Sequence, residues 1–263
     1  MKLPVALTIA GSDSGGGAGI QADIKTFAAL GVHGASAITA ITAQNTLSVT
    51  DILEVPPEMV TAQIDAVVSD LEVMAAKTGM LASSKIIEAV AAAINRHGIP
   101  NLVVDPVMIA KGGASLLRDD AIGALRSRIL PLATVVTPNL PEAEVILGRL
   151  VRSLDERKQA ARDLVALGPH AAVVKGGHSE DDVTDIYWDG VQMVELTGTR
   201  FPTTNTHGSG CVFSAAIAAG LANGLEPLAA VRAAKEFISS AIQHSLELGF
   251  GHGPVNPMFK DRL

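Results

Sequence analysis

The chain has 263 residues, 48% of them hydrophobic and only 3% aromatic, and carries a net charge of −7. An acidic chain with no basic block is a poor partner for nucleic acid or an anionic membrane, and no apolar run reaches the roughly 18 residues a membrane span needs. One cysteine excludes an internal disulfide and fits a reducing, cytoplasmic setting.

The opening MKLPVALTIAGS imitates a signal peptide only faintly. The glycine motif that follows makes Val5–Ala10 a first buried strand instead. Gly11–Gly19 is then a loop, and a helix with Ile20, Ile24, Phe27 and Ala28 on one face stops at Gly31. Ala35–Thr42 is strand-like and ends in Ala43-Gln44-Asn45-Thr46. Pro57 opens a helix carrying Val60, Ile64, Val67 and Val68. Val73–Lys77 is a short strand. Ser83 or Ser84 caps a helix that Gly98 ends. Leu102–Pro106 is a buried strand containing an acid, Ala121–Ile129 is helical up to Pro131, and Thr134–Thr137 is a strand. Pro138–Glu142 starts another helix. Ser153 and Glu156 form a capping box for a helix to Leu167, and Ala171–Val174 is a strand. Ile186–Trp188 and Gln192–Leu196, joined by Asp189-Gly190, read as a hairpin. After a glycine loop and a fully apolar helix, Pro227 opens a last helix ending near Gly249.

Alternating strands and helices predict an α/β fold, a mostly parallel sheet with helices on both faces. The whole of 1–263 is taken as one domain. With so few aromatics, its core must be built from Ala, Val, Ile and Leu. Sites in such sheets lie beyond the carboxyl ends of the strands. The loops with unusual residues all follow strands: Gly11–Gly19, Gln44-Asn45, Gly79-Met80, Asp105, Asn139–Glu142, Lys175–His178 and Thr206–Cys211. The fold is expected to gather them along one edge.

No register of Gly11–Gly19 gives G-x-G-x-x-G, and no glycine-lysine-serine/threonine step exists for a P-loop, which disfavours both nucleotide motifs. The loop is either a tight turn or a close backbone approach to a small molecule. At Asn205–Cys211 a second glycine loop runs into an apolar helix. Such a helix start offers unpaired N–H groups and partial positive charge, so it suits an anion. There the dipole is expected to lower the thiol pKa of Cys211. The alternative is a turn capping a core helix, with Cys211 as a small buried hydrophobe. Asn139 and Glu142, three apart at a helix start, point the same way and suit Mg²⁺ held largely through water, with Asp105 as a second carboxylate. Each alone is more often a cap or a surface charge. Lys175 is either a phosphate contact or a snorkelling lysine. His178 and His207 could each touch phosphate but read better as turn-stabilising, and Met80 and Val107 as pocket wall or core.

Seven segments together carry a resemblance. They are GSDSGGGAGIQAD at Gly11–Asp23, TAQNT at Thr42–Thr46, KTGMLAS at Lys77–Ser83, VVDPVM at Val103–Met108, TPNLPEAE at Thr137–Glu144, KGGH at Lys175–His178 and NTHGSGC at Asn205–Cys211. In this order they closely resemble the bacterial hydroxymethylpyrimidine/phosphomethylpyrimidine kinases of thiamine biosynthesis, in the ribokinase-like superfamily. The resemblance implies a three-layer α/β fold, a homodimer, and ATP-dependent phosphorylation of 4-amino-5-hydroxymethyl-2-methylpyrimidine and then of its monophosphate. It implies that Gln44 binds the pyrimidine, with Gly11, Asp23, Met80 and Val107 around it. Asp105, Asn139 and Glu142 would serve Mg²⁺ and the phosphates, and Lys175 the nucleotide. Gly208, Ser209 and Gly210 would form the anion hole, with Ser209 in place of the usual threonine. Cys211 would stand where most of the superfamily has an aspartate base. The rivals are a pyridoxine or pyridoxal kinase of the same fold and a catalytically idle pyrimidine or nucleotide sensor. Against the first, the Gln44 amide sets a donor beside an acceptor, matching an aminopyrimidine edge that pyridoxal lacks.

Overall fold

The computed structural model describes residues 3–109, 113, 116–118, 120–177 and 183–262, so His178 lies outside the described residues. The elements in chain order are β1 (Val5–Asp13), α1 (Gly19–Ala29), β2 (His33–Gln44), β3 (Val49–Glu54), α2 (Pro57–Val68), β4 (Val73–Thr78), α3 (Ser84–His97), β5 (Leu102–Val104), α4 (Ala121–Ala124), β6 (Val135–Val136), α5 (Leu140–Leu147), α6 (Leu154–Val165), β7 (Ala171–Val174), β8 (Asp185–Trp188), β9 (Met193–Leu196), α7 (Ser209–Ala222) and α8 (Pro227–Gln243).

One sheet holds all the strands in the order β3-β2-β1-β4-β5-β6-β7-β8-β9. From β2 to β7 every pairing is parallel, and the edges β3, β8 and β9 are antiparallel. Parallel strands have helices on both faces, so their residues are buried whichever way they point. β1, VALTIAGSD, is buried at every position but one. One face packs α2, α3, α5 and α6 through Val60, Ile64, Ile86, Val90, Ile146 and Leu164. The other packs α1, α7 and α8 through Phe27, Val212, Ile217, Val231 and Phe237.

β1 has β2 on one side and β4 on the other, so the chain's direction of travel across the sheet reverses there. That reversal opens a crevice beyond the carboxyl ends of β1 and β4. α7 lies behind it, apolar all round and buried along almost its whole length. Small residues let α8 come close. A Cβ on Gly220 would stand 3.0 Å from Ala230 Cβ and 3.2 Å from Ala230 Cα.

Several elements differ from the sequence expectation. β1 and β2 continue to Asp13 and Gln44, which makes Gln44 the last residue of a strand rather than part of a loop. The unanticipated β3 is a mostly solvent-facing edge strand without an apolar run. The helix expected over 121–129 starts as α4, widens to a π turn over Leu125–Ile129 and tightens to a 3₁₀ turn through Pro131, which lacks an N–H for a longer helix. α8 stops at Gln243 because the following chain folds back: Leu246 N–H donates to the Pro254 carbonyl and His252 N–H to that of Thr46. The hairpin forms as expected, its turn closed by Asp189 accepting from Val191 and Gln192 N–H. Tyr187 and Trp188 sit together on β8, with the Arg162 guanidinium 5.6 Å from the indole centroid. Among the described residues no helix is long and apolar enough to cross a membrane.

The close approach of α7 and α8 sets a direct test. Gly220→Val overpacks it and should cost about 1–3 kcal/mol. In urea this appears as a lower midpoint at unchanged slope. A midpoint equal to wild type would show that α8 yields freely at Ala230.

Candidate active site

A cleft of about 770 Å³ follows the carboxyl ends of the strands. Its lining contains Gln44 at the end of β2, Gly11 on β1, Met80 after β4, Asp105 and Val107 after β5, Asn139 and Glu142 at the start of α5, and Lys175 after β7. Gly208, Ser209, Gly210 and Cys211 face it from the start of α7, and Phe201, Ile238 and Ile242 make an apolar wall. Of the described residues that the resemblance assigns to the site, Asp23 alone is not in the lining.

Asp23 is fully buried on α1. Its carboxylate oxygens lie 2.9 and 3.0 Å from Lys77 Nζ, and it accepts from Thr8 Oγ1 at 2.6 Å. A lysine is almost never fully buried without a partner, and Asp23 is that partner. Burial alone would lower the Lys77 pKa, but Asp23 together with Cys211 and Asp105 outweighs it and holds the ammonium above its usual range. The expected substrate contact is therefore a counter-ion beneath the cleft floor. The residue that reaches the lining is Lys77, which sequence reasoning passed over as a strand end.

The first glycine loop is wrapped around Asp13. One carboxylate oxygen accepts from Gly15 N–H at 2.8 Å, and the other from Gly17 N–H at 3.1 Å and Ala18 N–H at 2.9 Å. His207 Nε2 lies 2.9 Å from the second oxygen. Burial would raise the Asp13 pKa; the bonds from His207 and the loop amides win and hold it low. These loop N–H groups are thus committed to a side chain of their own loop. His207 stabilises the turns as expected, and it does so by joining the two glycine loops. A Cβ on Gly208, whose φ is +77°, would collide with the Gly17 carbonyl oxygen. Gln44 stands beside this junction. Its Nε2 is 3.5 Å from His207 Nε2, and its Oε1 is 3.1 Å from Thr42 Oγ1.

α7 begins where the second loop ends. A Cβ on Gly210 would lie 3.3 Å from Lys175 Nζ and 3.6 Å from Asp105 Oδ2, so glycine there lets the helix start abut that ion pair. Cys211 is half-buried on the first turn. Burial pushes its thiol up to about 11, against the Lys77 cation and the Gly19 N–H that favour the thiolate. This reverses the direction expected from the helix dipole: a thiol removed from water loses more than a helix end returns.

Lys175 Nζ lies 3.1 Å from Asp105 Oδ1. Asn139 and Glu142 form a reciprocal capping box: Asn139 Oδ1 accepts from Glu142 N–H at 2.9 Å, and Glu142 Oε2 accepts from Asn139 N–H at 2.8 Å. The Asn139 side-chain oxygen is engaged as a helix cap, which holds Glu142 in place. Burial pushes the Glu142 carboxyl up to about 7; Lys175 opposes this and Asp105 adds to it. Two carboxylates thus share one lysine. Among the described residues there is no cluster of three or more metal-ligating side chains. One or two carboxylates with waters suit Mg²⁺, which dehydrates reluctantly, better than a full protein cage does.

The family model for phosphomethylpyrimidine kinase matches residues 13–256. The chain is 53% identical to a Rhizobium meliloti hydroxymethylpyrimidine/phosphomethylpyrimidine kinase over 257 residues, covering 96% of each. Among solved structures it is similar to a Bacillus subtilis pyridoxal kinase in complex with ADP, with a TM-score of 0.93, 39% identity and full coverage of both chains. It is also similar to a Clostridium difficile phosphomethylpyrimidine kinase, with a TM-score of 0.82, 40% identity, and coverage of 91% of this chain and 99% of that one.

The displaced Glu142 titration has a signature in stability. A folded pKa of about 7, above the ordinary 4.5, means the folded state holds a proton that the unfolded state has released. Stability from this group is full below the ordinary value and is lost as pH rises through 7. Glu142→Gln keeps an acceptor for Asn139 N–H and never ionises. Between pH 5.5 and 8, urea unfolding of the variant should gain about 1–3 kcal/mol on wild type. An equal gap at both pH values would mean Glu142 titrates as an ordinary carboxyl.

Proposed function

The chain belongs to the phosphomethylpyrimidine kinase family, and we propose that its cleft transfers phosphoryl groups from ATP to 4-amino-5-hydroxymethyl-2-methylpyrimidine and then to the resulting monophosphate. One arrangement carries this reading. A side-chain amide stands at one end of the cleft, a lysine with two carboxylates at the other, and a helix N-terminus with a thiol between them. Phosphoryl transfer asks for positioning and charge stabilisation more than for covalent chemistry.

Gln44 reads the aminopyrimidine edge, and Gly11, Met80 and Val107 flank the ring. Lys175 and the N–H groups of Gly208–Gly210 face the moving phosphoryl. The substrate hydroxyl oxygen bonds to the γ-phosphorus as the bond from the γ-phosphorus to the bridging oxygen breaks, ADP leaves with that electron pair, and Cys211 orients and accepts the hydroxyl proton. Asp105 and Glu142 would hold Mg²⁺ through its waters, with Asn139 fixing Glu142. The residues fit, since they pair hard oxygen donors with an excess of buried negative charge. Bound there, Mg²⁺ supplies charge neutralisation on the phosphate oxygens. The protein works in the cytoplasm as one domain and as a homodimer. Ile41, Leu47 and Leu53, exposed at the β2–β3 edge, support that assembly.

ATP turnover on a panel of the pyrimidine, its monophosphate, pyridoxine and pyridoxal tests the reading. The two pyrimidines should dominate. Preference for pyridoxal would replace this assignment with the pyridoxal kinase one, and no turnover on any would favour a sensor. A thiol held near 11 must lose its proton to act as a base, so wild-type kcat should climb with pH from 7 towards 10. Cys211→Ala should lower kcat by roughly 10²–10⁴ with little change in KM for ATP. Cys211→Asp should recover part of the loss and flatten the pH profile. Wild-type turnover in Cys211→Ala with a lower melting point would leave the thiol only a packing role.

A further inference from the structure

Gln44 stands between two neighbours whose other bonds decide which way its amide faces. His207 Nε2 lies 2.9 Å from Asp13 Oδ2. An ionised carboxylate only accepts, so this ring nitrogen carries the proton and donates it to Asp13. It has no lone pair left for Gln44. Yet Gln44 Nε2, a donor, is set 3.5 Å from it. On the other side, Thr42 Oγ1 is 3.0 Å from the Ser12 carbonyl oxygen and 3.1 Å from Gln44 Oε1. A hydroxyl has one proton. Given to the Ser12 carbonyl, it leaves Thr42 only lone pairs to offer the amide. A half-turn of the last Gln44 torsion exchanges oxygen and nitrogen in nearly the same places: the nitrogen then donates to Thr42 Oγ1, and an oxygen instead of a second N–H faces the His207 N–H as its weaker, shared acceptor beside Asp13.

We infer that Thr42 and the His207–Asp13 pair are positioning residues that hold the Gln44 amide with its oxygen towards His207 and its nitrogen towards Thr42, and so decide which way round the pyrimidine lies. This rests on the reading of Gln44 as the pyrimidine-binding amide. In this orientation one N–H and one lone pair remain for the substrate. The bound edge must accept on the Thr42 side and donate on the His207 side. Around the substrate ring the order is ring nitrogen, amino group, hydroxymethyl group. Placing the amino group towards His207 therefore carries the hydroxymethyl group further the same way. His207 is followed directly by Gly208, Ser209, Gly210 and Cys211, where the phosphoryl group is met. The opposite amide orientation would turn the hydroxymethyl group away from them.

The test compares kcat/KM for the aminopyrimidine and for its 4-oxo analogue, in which the ring nitrogen donates and the exocyclic oxygen accepts. Wild type should prefer the amino compound by roughly 10² or more, since a site built around substrate hydrogen bonds rejects a mismatched partner strongly. Thr42→Val, which keeps the shape and loses the hydroxyl, should reduce that preference about tenfold by freeing the amide to turn, with KM for ATP unmoved. Thr42→Ser should restore it. A wild type that accepts both compounds equally overturns the inference, whether or not the variants fold. So does a folded Thr42→Val with undiminished preference. Gln44→Leu separates the two levels. If it leaves pyrimidine turnover intact, the reading of Gln44 fails and the inference falls with it. If it abolishes turnover while Thr42→Val keeps the preference, only the positioning role fails.

Discussion

One carboxylate ties the substrate end of the cleft together. Asp13, at the end of β1, accepts from three N–H groups of the loop that follows and from His207 on the loop before α7. The two loops are about 190 positions apart in the chain. A buried anion with four donors is stable only while all four stay in place. The shape of the first loop, the entry to α7 and the surroundings of Gln44 are therefore fixed together. Gly17 and Gly208 are glycines because any Cβ there would strike the other loop.

The sheet brings these parts to one place. Because β1 is flanked by β2 and β4, the ends of three strands meet at the reversal, and β5, β6 and β7 extend the row. The amide, the acid and the lysine thus come from the ends of β2, β5 and β7 of one rigid scaffold. α7 closes the row from behind, and its alanines and Gly220 let α8 press against it. Tight packing of small side chains holds the helix start where Gly210 touches the Lys175–Asp105 pair. Beneath it, Lys77 and Asp23 put a buried ion pair under the cleft floor, a costly arrangement that only close mutual contact sustains.

Much of this was legible in the sequence. Apolar runs of Val, Ile and Ala marked the buried strands, while Gly31, Gly98 and Pro227 marked helix limits. The Ser153–Glu156 capping box and the Asp189-Gly190 hairpin formed as their spacing implied. β3 escaped notice because an exposed edge strand needs no apolar periodicity. Asp23 was misjudged because nothing local distinguishes an acid that faces a ligand from one that faces a buried lysine 54 residues away. The Cys211 thiol pKa was not legible in the sequence, because a helix dipole can be read from position and burial cannot. Asn139 shows how one motif serves two readings: a cap and a ligand require the same residue at the same place, and the reciprocal bonds to Glu142 are what tell them apart.

The placement of the aromatic residues has an optical consequence. The chain has one tryptophan and one tyrosine, and both lie on β8, near the sheet edge opposite Gln44. Neither side chain lines the cleft. Intrinsic emission therefore comes from the seam between α6 and β8, where the Arg162 guanidinium lies over the indole. Light from Trp188 reports whether that seam is closed and is silent about events beside Gln44. A tryptophan placed on the exposed Leu47, at the far edge, would give the molecule a second and spectrally separable window.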